Sequence, residues 1–257
     1  MAKNLWTKEE MVLVLNLYLK LPFGKMHARN MDVIKIAHLI GRTPNAVALR
    51  LGNYASCDPK LKQRGILGMS HGGKKCEEYW NEFAEDPERL LYESESILAQ
   101  YEGTSVEKKF EKELIDIPID IIGDTKIRLV KTRINQNVFR QIILANYNYK
   151  CALSGIDIPE LLVASHIIPW SENPKERLNP ENGIRLSSLY DRAFDQGLIG
   201  FDNSCKVLFS ERLINNFGKD YYDKYFLPIY GKSLADAIKY AIIPLFLEWH
   251  RDCIFNK

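Results

Sequence analysis

The stretch of the chain that most narrows its fold is LLVASHIIPWSENPKERLNPENGIRLSSLYDRAFDQGLI, residues 161–199. Its opening run is short, apolar and rich in β-branched residues, and it closes at Pro169, so it reads as a strand carrying His166. A strand holds a side chain on a rigid element, which a general base requires. The polar SENPKERLNPENG that follows repeats an Asn-Pro turn signal. A second short strand, GIRLSSL, leads into a helix over YDRAFDQGLI. The order is strand, loop, strand, helix. Asp191 and Asp195 stand i and i+4 on that helix, on one face.

The 257 residues suit two domains, each able to bury its own core. A formal net charge of +2 argues for no nucleic acid by itself, so such a case rests on local clustering. The five cysteines, Cys57, Cys76, Cys151, Cys205 and Cys253, are odd in number, scattered and without a C-x-x-C pair. Neither a zinc ribbon nor a disulfide framework follows from them. MAKNLWTKEE turns charged too early for a signal peptide, and no apolar run reaches membrane-spanning length. A cytoplasmic protein with reduced thiols is expected. No Gly-rich phosphate loop or cofactor fingerprint appears, so no organic cofactor is expected.

At the N-terminus, residues 5–21 read as an amphipathic helix, with Thr7 and Glu10 at capping-box spacing and Pro22 and Gly24 as its stop. A second helix over DVIKIAHLI shares Val33, Ile36, Ala37 and Ile40 on one face. GRT then forms a turn, and Thr43-Pro44 opens a third helix that buries Val47, Leu51 and Tyr54. Asn45, Arg50 and Asn53 are left for solvent or a partner. This is the helix-turn-helix pattern, and an αα-hairpin packed only for stability fits it as well. Its WTKEE opening resembles the Myb/SANT-like three-helix family. KLKQRGILGMSHGGKK, residues 60–75, reads as an exposed basic loop, either phosphate-contacting or a solvated connector. Residues 77–100 read as helical, with Tyr79, Trp80 and Phe83 turned back onto the first helices. The charge-rich, then Ile/Asp/Pro segment 101–125 reads as a linker between a helical domain over 1–100 and a second domain over 126–257. From Lys126 to Lys150 there are six basic residues and no acidic one, with a helix from about Asn137 to Tyr147 packing Phe139, Ile143 and Leu144 inward. Positive charge there suits a polyanion approaching the opening stretch.

Residues 126–257 resemble the HNH endonucleases, in the branch associated with restriction-type proteins. NQNVFRQIILANYNYKCALSG, ASHIIPW, RLNPENGIRL and LYDRAFDQGLI carry the resemblance as a set. The N-terminal WTKEE, LPFGK, GRTPNAVALRL and YAS are similar to a leader found on some of them. The implied fold class is α+β: an all-α helix-turn-helix-like domain, then a ββα-metal nuclease domain with flanking helices.

The resemblance implies roles position by position. His166 matches the base that activates water, and Asn182 the middle asparagine that pins the loop. Asp191 and Asp195, oxygen donors, suit one Mg²⁺ or Mn²⁺. Arg177, Arg185 and Arg192 are candidates for neutralising phosphate charge. Arg42, Asn45 and Arg50 on the N-terminal helices, and Lys131, Arg133 and Arg140 upstream of the motif, are the other expected DNA contacts. The chain departs from the family at two places. Ser165 stands where a metal-ligating acid or histidine often precedes the base. Tyr190 stands at the third motif position, where histidine or asparagine is usual. Either Asp191 takes the cation, or Tyr190 binds it or a phosphate through its hydroxyl, or catalysis is weakened. Ser154 replaces a possible second cysteine beside Cys151, so no structural zinc is expected, and Cys151 reads as a buried small hydrophobe. Asp191 also suits a first-turn carboxylate, Asp195 a cap for GLIGF, and His250 a packed residue of a C-terminal helix. The expected activity is hydrolysis of double-stranded DNA to 5′-phosphate and 3′-hydroxyl ends, with a homodimer as the means of cutting both strands. The competing expectations are a DNA-binding regulator with a decayed nuclease domain, and a nuclease acting on RNA or structured ends.

Overall fold

The computed structural model describes residues 5–63, 65, 73–84, 86–118 and 121–255. The chain divides into two compact units, residues 1–138 and 139–257. Most of the basic loop expected over 60–75, residues 64 and 66–72, lies outside the described residues.

In the first unit α1 (Lys8–Lys20) starts at the expected capping box, Thr7 and Glu10 each accepting from the other's backbone N–H. It is not amphipathic. Every residue from Glu10 to Tyr18 is buried, because MVLVLNLYL places apolar side chains all round the helix. α2 (Met31–Leu39), α3 (Pro44–Cys57), α5 (Lys74–Ala84) and α6 (Pro87–Tyr101) surround it, with the short α4 (Pro59–Gln63) after α3. Gly41, at φ +66°, makes the turn between α2 and α3, and Thr43 caps α3 ahead of Pro44. Asp86 and Pro87 split the expected acidic helix in two. Tyr79 and Phe83 are buried as expected, and Trp80 meets Tyr18 edge-on at 5.7 Å. Asn53, expected at the surface, is buried.

Two carboxylates buried around α1 are paired. Glu10 takes two hydrogen bonds from the Arg42 guanidinium, at 3.0 and 2.8 Å. Glu95 of α6, 2 % exposed, meets Lys20 at 2.5 Å and Lys109 at 3.1 Å and accepts from Asn16. Lys109 belongs to α7 (Val106–Lys109), where Val106 and Phe110 are buried. The segment read as a linker is therefore packed into this unit as far as Phe110. The unit boundary falls further on, inside α8 (Gly123–Asn146), a longer helix than the one expected from Asn137. Val130, Ile134 and Val138 of α8 are buried in the first unit, and Phe139, Ile142 and Ile143 in the second.

The second unit holds the antiparallel hairpin β1 (Leu162–His166) and β2 (Gly183–Ser187), then α9 (Ser188–Asp195). A smaller hairpin follows, β3 (Ile199–Phe201) with β4 (Val207–Phe209), and then α10 (Glu211–Ile214), α11 (Asp220–Tyr225) and α12 (Pro244–Cys253). β2 is buried along its length. α9 covers one face of the first hairpin. On the other, Arg185 donates to the Leu144 carbonyl of α8, and Phe139 lies on His166. His250 of α12 is buried, as expected, and stacks on Phe194 with ring centroids 3.7 Å apart. Among the described residues no helix is long and apolar enough to cross a membrane.

Burial raises the Glu95 pKa, but Lys20 and Lys109 outweigh it and the carboxyl titrates below its ordinary 4.5. Its contribution to stability is present above pH 4.5 and is lost as the pH falls through the lowered folded value. Glu95→Gln is expected to cost about 1.5–3 kcal/mol at pH 7 and to flatten the acid limb of stability. Urea unfolding at a series of pH values reads both effects.

Candidate active site on the first hairpin and α9

Successive side chains of a strand point to opposite faces, so β1 sends Ser165 and His166 apart. Ser165 faces α9, where its hydroxyl donates to Asp191 Oδ1. His166 faces α8. Its ring lies on Phe139, centroids 4.3 Å apart and 11° from parallel, and meets Trp170 edge-on at 5.6 Å. His166 Nε2 is 2.9 Å from the Arg177 carbonyl oxygen. A carbonyl oxygen only accepts, so Nε2 carries the proton and Nδ1 keeps the lone pair. Burial holds the imidazole pKa below 6.5, partly offset by the bond to Arg177. The ring is therefore neutral, and a base, at pH 7.

Asn182 ends the loop that begins after β1. Its Oδ1 accepts from Ile168 N at 2.8 Å, and its Nδ2 donates to the carbonyls of Ile168 and Glu176 at 3.0 and 3.1 Å. One buried amide thus ties the exit of β1, the middle of the loop and the entry to β2. Asn173 and Asn179 cap the two 3-10 turns Pro174–Glu176 and Pro180–Asn182, each accepting from a backbone N–H. Those turns present the Arg177 carbonyl to His166. The Arg177 guanidinium lies 5.4 Å from the Trp170 ring centre and donates from Nε to the Trp170 carbonyl.

On α9, Asp191 is half-buried and Asp195 exposed. Loss of solvation, and then the neighbouring Asp191 charge, push Asp195 up to about 6, with Arg192 opposing. The two carboxylates repel each other, Ser165 donates to Asp191, and all three side chains offer oxygen donors, the chemistry that suits a hard divalent cation. Among the described residues no group of three or more His, Cys, Asp or Glu side chains gathers to hold a metal.

Two expectations need correction. Tyr190 is turned into the core: its hydroxyl donates to the Tyr225 carbonyl at 2.7 Å, and its ring packs edge-on against Phe226. It points neither to a cation nor to a phosphate. Arg185 is wholly buried (0 % exposed), with its guanidinium on the Leu144 carbonyl and 5.7 Å from the Tyr149 ring centre. It is a core residue that braces β2 against α8. Cys151 is buried as expected, yet it also has a polar task, accepting from the N–H groups of Ser187 and Ser154.

Of the other expected DNA contacts, Arg192 is exposed on α9, and Arg140 is half-buried and donates to the Pro159 carbonyl. Lys131 and Arg133 are exposed on the part of α8 in the first unit, Lys131 lying over the Tyr92 ring. Asn45 is exposed at the start of α3. Arg42 and Arg50 both lie over Trp6, each 4.7 Å from its ring centre. The sequence reading missed Phe139 and Trp170 as neighbours of His166. Phe139 reads only as a core residue of a helix, and Trp170 gives no signal beyond its nearness to Pro169.

The geometry is that of a β-hairpin followed by a helix, with a neutral histidine on the first strand and an acidic pair on the helix. A family model described as HNH_2, HNH endonuclease, matches residues 151–202, the segment that contains this hairpin, α9 and β3. The match supports the HNH family for that segment, and with it nuclease chemistry on DNA. No curated protein matches the chain.

Tyr190→Phe removes one hydrogen bond from the core. It is expected to cost about 0.5–1.5 kcal/mol of stability and to leave metal affinity unchanged. Mn²⁺ titration by calorimetry beside thermal unfolding tests this, and weakened Mn²⁺ binding would restore Tyr190 as a ligand.

Proposed function

We propose that the protein is a metal-dependent, restriction-type HNH endonuclease acting on double-stranded DNA, with His166 as general base. The observation that carries the proposal is the held imidazole: Nε2–H is committed to the Arg177 carbonyl, and Nδ1 keeps its lone pair. Nδ1 takes a proton from water as the water oxygen attacks phosphorus. Asn182 positions this base indirectly, by holding the loop that supplies the Arg177 carbonyl. Asp191 and Asp195, with the Ser165 hydroxyl beside them, would hold one Mg²⁺ or Mn²⁺. When bound, that ion neutralises charge on the scissile phosphate and on the leaving oxygen. Arg177 and Arg192 meet phosphates flanking the cut, where guanidinium charge is most useful in the transition state.

DNA reading belongs to the N-terminal helices in this proposal, through the helix-turn-helix-like pair α2 and α3. Asn45 is the exposed candidate there, while Arg42 and Arg50 also serve the packing around Trp6. Lys131, Arg133 and Arg140 follow the backbone. A homodimer would place one site on each strand, and the setting would be cytoplasmic defence.

A second reading is favoured by one observation, the turning of Tyr190 into the core, which leaves α9 with two ligands. In that reading the chain is a DNA-binding regulator with little or no cleavage.

Plasmid incubated with the protein and Mg²⁺ or Mn²⁺ separates the two. Nicking is expected, and His166→Ala is expected to slow it by about 10²–10⁴-fold. The base must be neutral, so the rate should rise with pH through a value below the ordinary 6.5 and be level above it. Tight, salt-sensitive binding without nicking in either metal would establish the regulator instead.

A further inference from the structure

We infer that Phe139 is a positioning residue for His166, and that residue 183 is glycine because Phe139 and Ile143 fill the space its side chain would need. The inference rests on His166 being the base. A strand fixes the Cβ of a histidine but not the plane of its ring, since the terminal torsion is broad. Three contacts fix it here: the Phe139 ring on one face, the Trp170 edge, and the Arg177 carbonyl on Nε2. The first covers a whole face of the ring, so it resists tilting of the plane more broadly than an edge contact or a single hydrogen bond.

Gly183 stands directly opposite His166 in the hairpin. A Cβ at Gly183 would lie 2.4 and 2.8 Å from Cδ1 and Cγ1 of Ile143, and 2.9 Å from Cζ of Phe139. Both neighbours are buried, at 0 % and 1 % exposed, so neither has room to swing aside. The φ of Gly183 is −126°, which any residue adopts, so close approach and not backbone freedom explains the glycine. Helix α8 is thereby pressed against the hairpin at the residue pair that contains the base, and the ring it presses there is Phe139.

Two changes test this. Phe139→Leu keeps an apolar side chain but removes the plane. Gly183→Ala keeps the Phe139 side chain but sets a methyl group against Ile143 and the Phe139 ring. In each variant ¹H–¹⁵N NMR of the His166 imidazole is expected to show a mixture of tautomers where the parent shows the Nε2–H form alone. In cleavage assays kcat is expected to fall by about 10–100-fold, with KM for DNA unchanged. Should either variant fail to fold, Phe139→Met carries the same measurements. An unchanged tautomer in a folded variant, or a kcat that falls only with the folded fraction, overturns the inference. The NMR result does not require the protein to cleave DNA, so failure of the nuclease proposal and failure of this one are told apart.

Discussion

Pairing of His166 with Gly183 sets which way each side chain of β1 faces, and the candidate site depends on that register. A slip of one residue would exchange the faces, turning the imidazole toward α9 and the Ser165 hydroxyl toward α8. Two features oppose the slip. Asn182 bonds both backbone groups of Ile168, so the strand exit is tied to the strand entry at one step of the ladder. Gly183 admits Phe139 and Ile143 where any other residue would collide. The same alternation divides the labour: the face toward α8 holds the neutral histidine, and the face toward α9 holds the oxygen donors.

A few charges of the first unit are turned inward. Glu10 and Glu95 are nearly removed from solvent, and each is matched by cations brought from distant parts of the chain. Arg42 is consequently part of the packing of α1 as well as a candidate contact for DNA. Arg50 shares the Trp6 ring with it. A helix pair can have the spacing of a DNA reader while its basic residues hold the domain together, and here Asn45 and several lysines and arginines of α8 are exposed.

The order strand, loop, strand, helix is legible in the sequence because its signals are local: β-branched runs, repeated Asn-Pro turns and an i, i+4 acid pair. The capping box of α1 and the Thr43-Pro44 start of α3 are legible for the same reason. What depends on three-dimensional neighbours is not. MVLVLNLYL looks amphipathic until four helices are seen around it, and the charged stretch near 101–110 looks like a linker until Lys109 is seen against Glu95. Tyr190 and Arg185 occupy positions where a motif suggests ligand or phosphate contact, but one ring and one guanidinium point inward. Phe139 shows the converse. A core phenylalanine in sequence is, in space, the surface on which the histidine rests.

The proposed function requires that the acidic pair on α9 and the histidine on β1, set on opposite faces of the strand, both reach one phosphate. A crystal soaked with Mn²⁺ and a short DNA duplex, with anomalous scattering recorded, tests it most directly. The account predicts a single Mn²⁺ peak coordinated by Asp191 and Asp195, with a DNA phosphate on the ion and His166 Nδ1 facing that phosphate through one water. A peak away from the two aspartates, or a phosphate seated beyond the reach of His166, would contradict it.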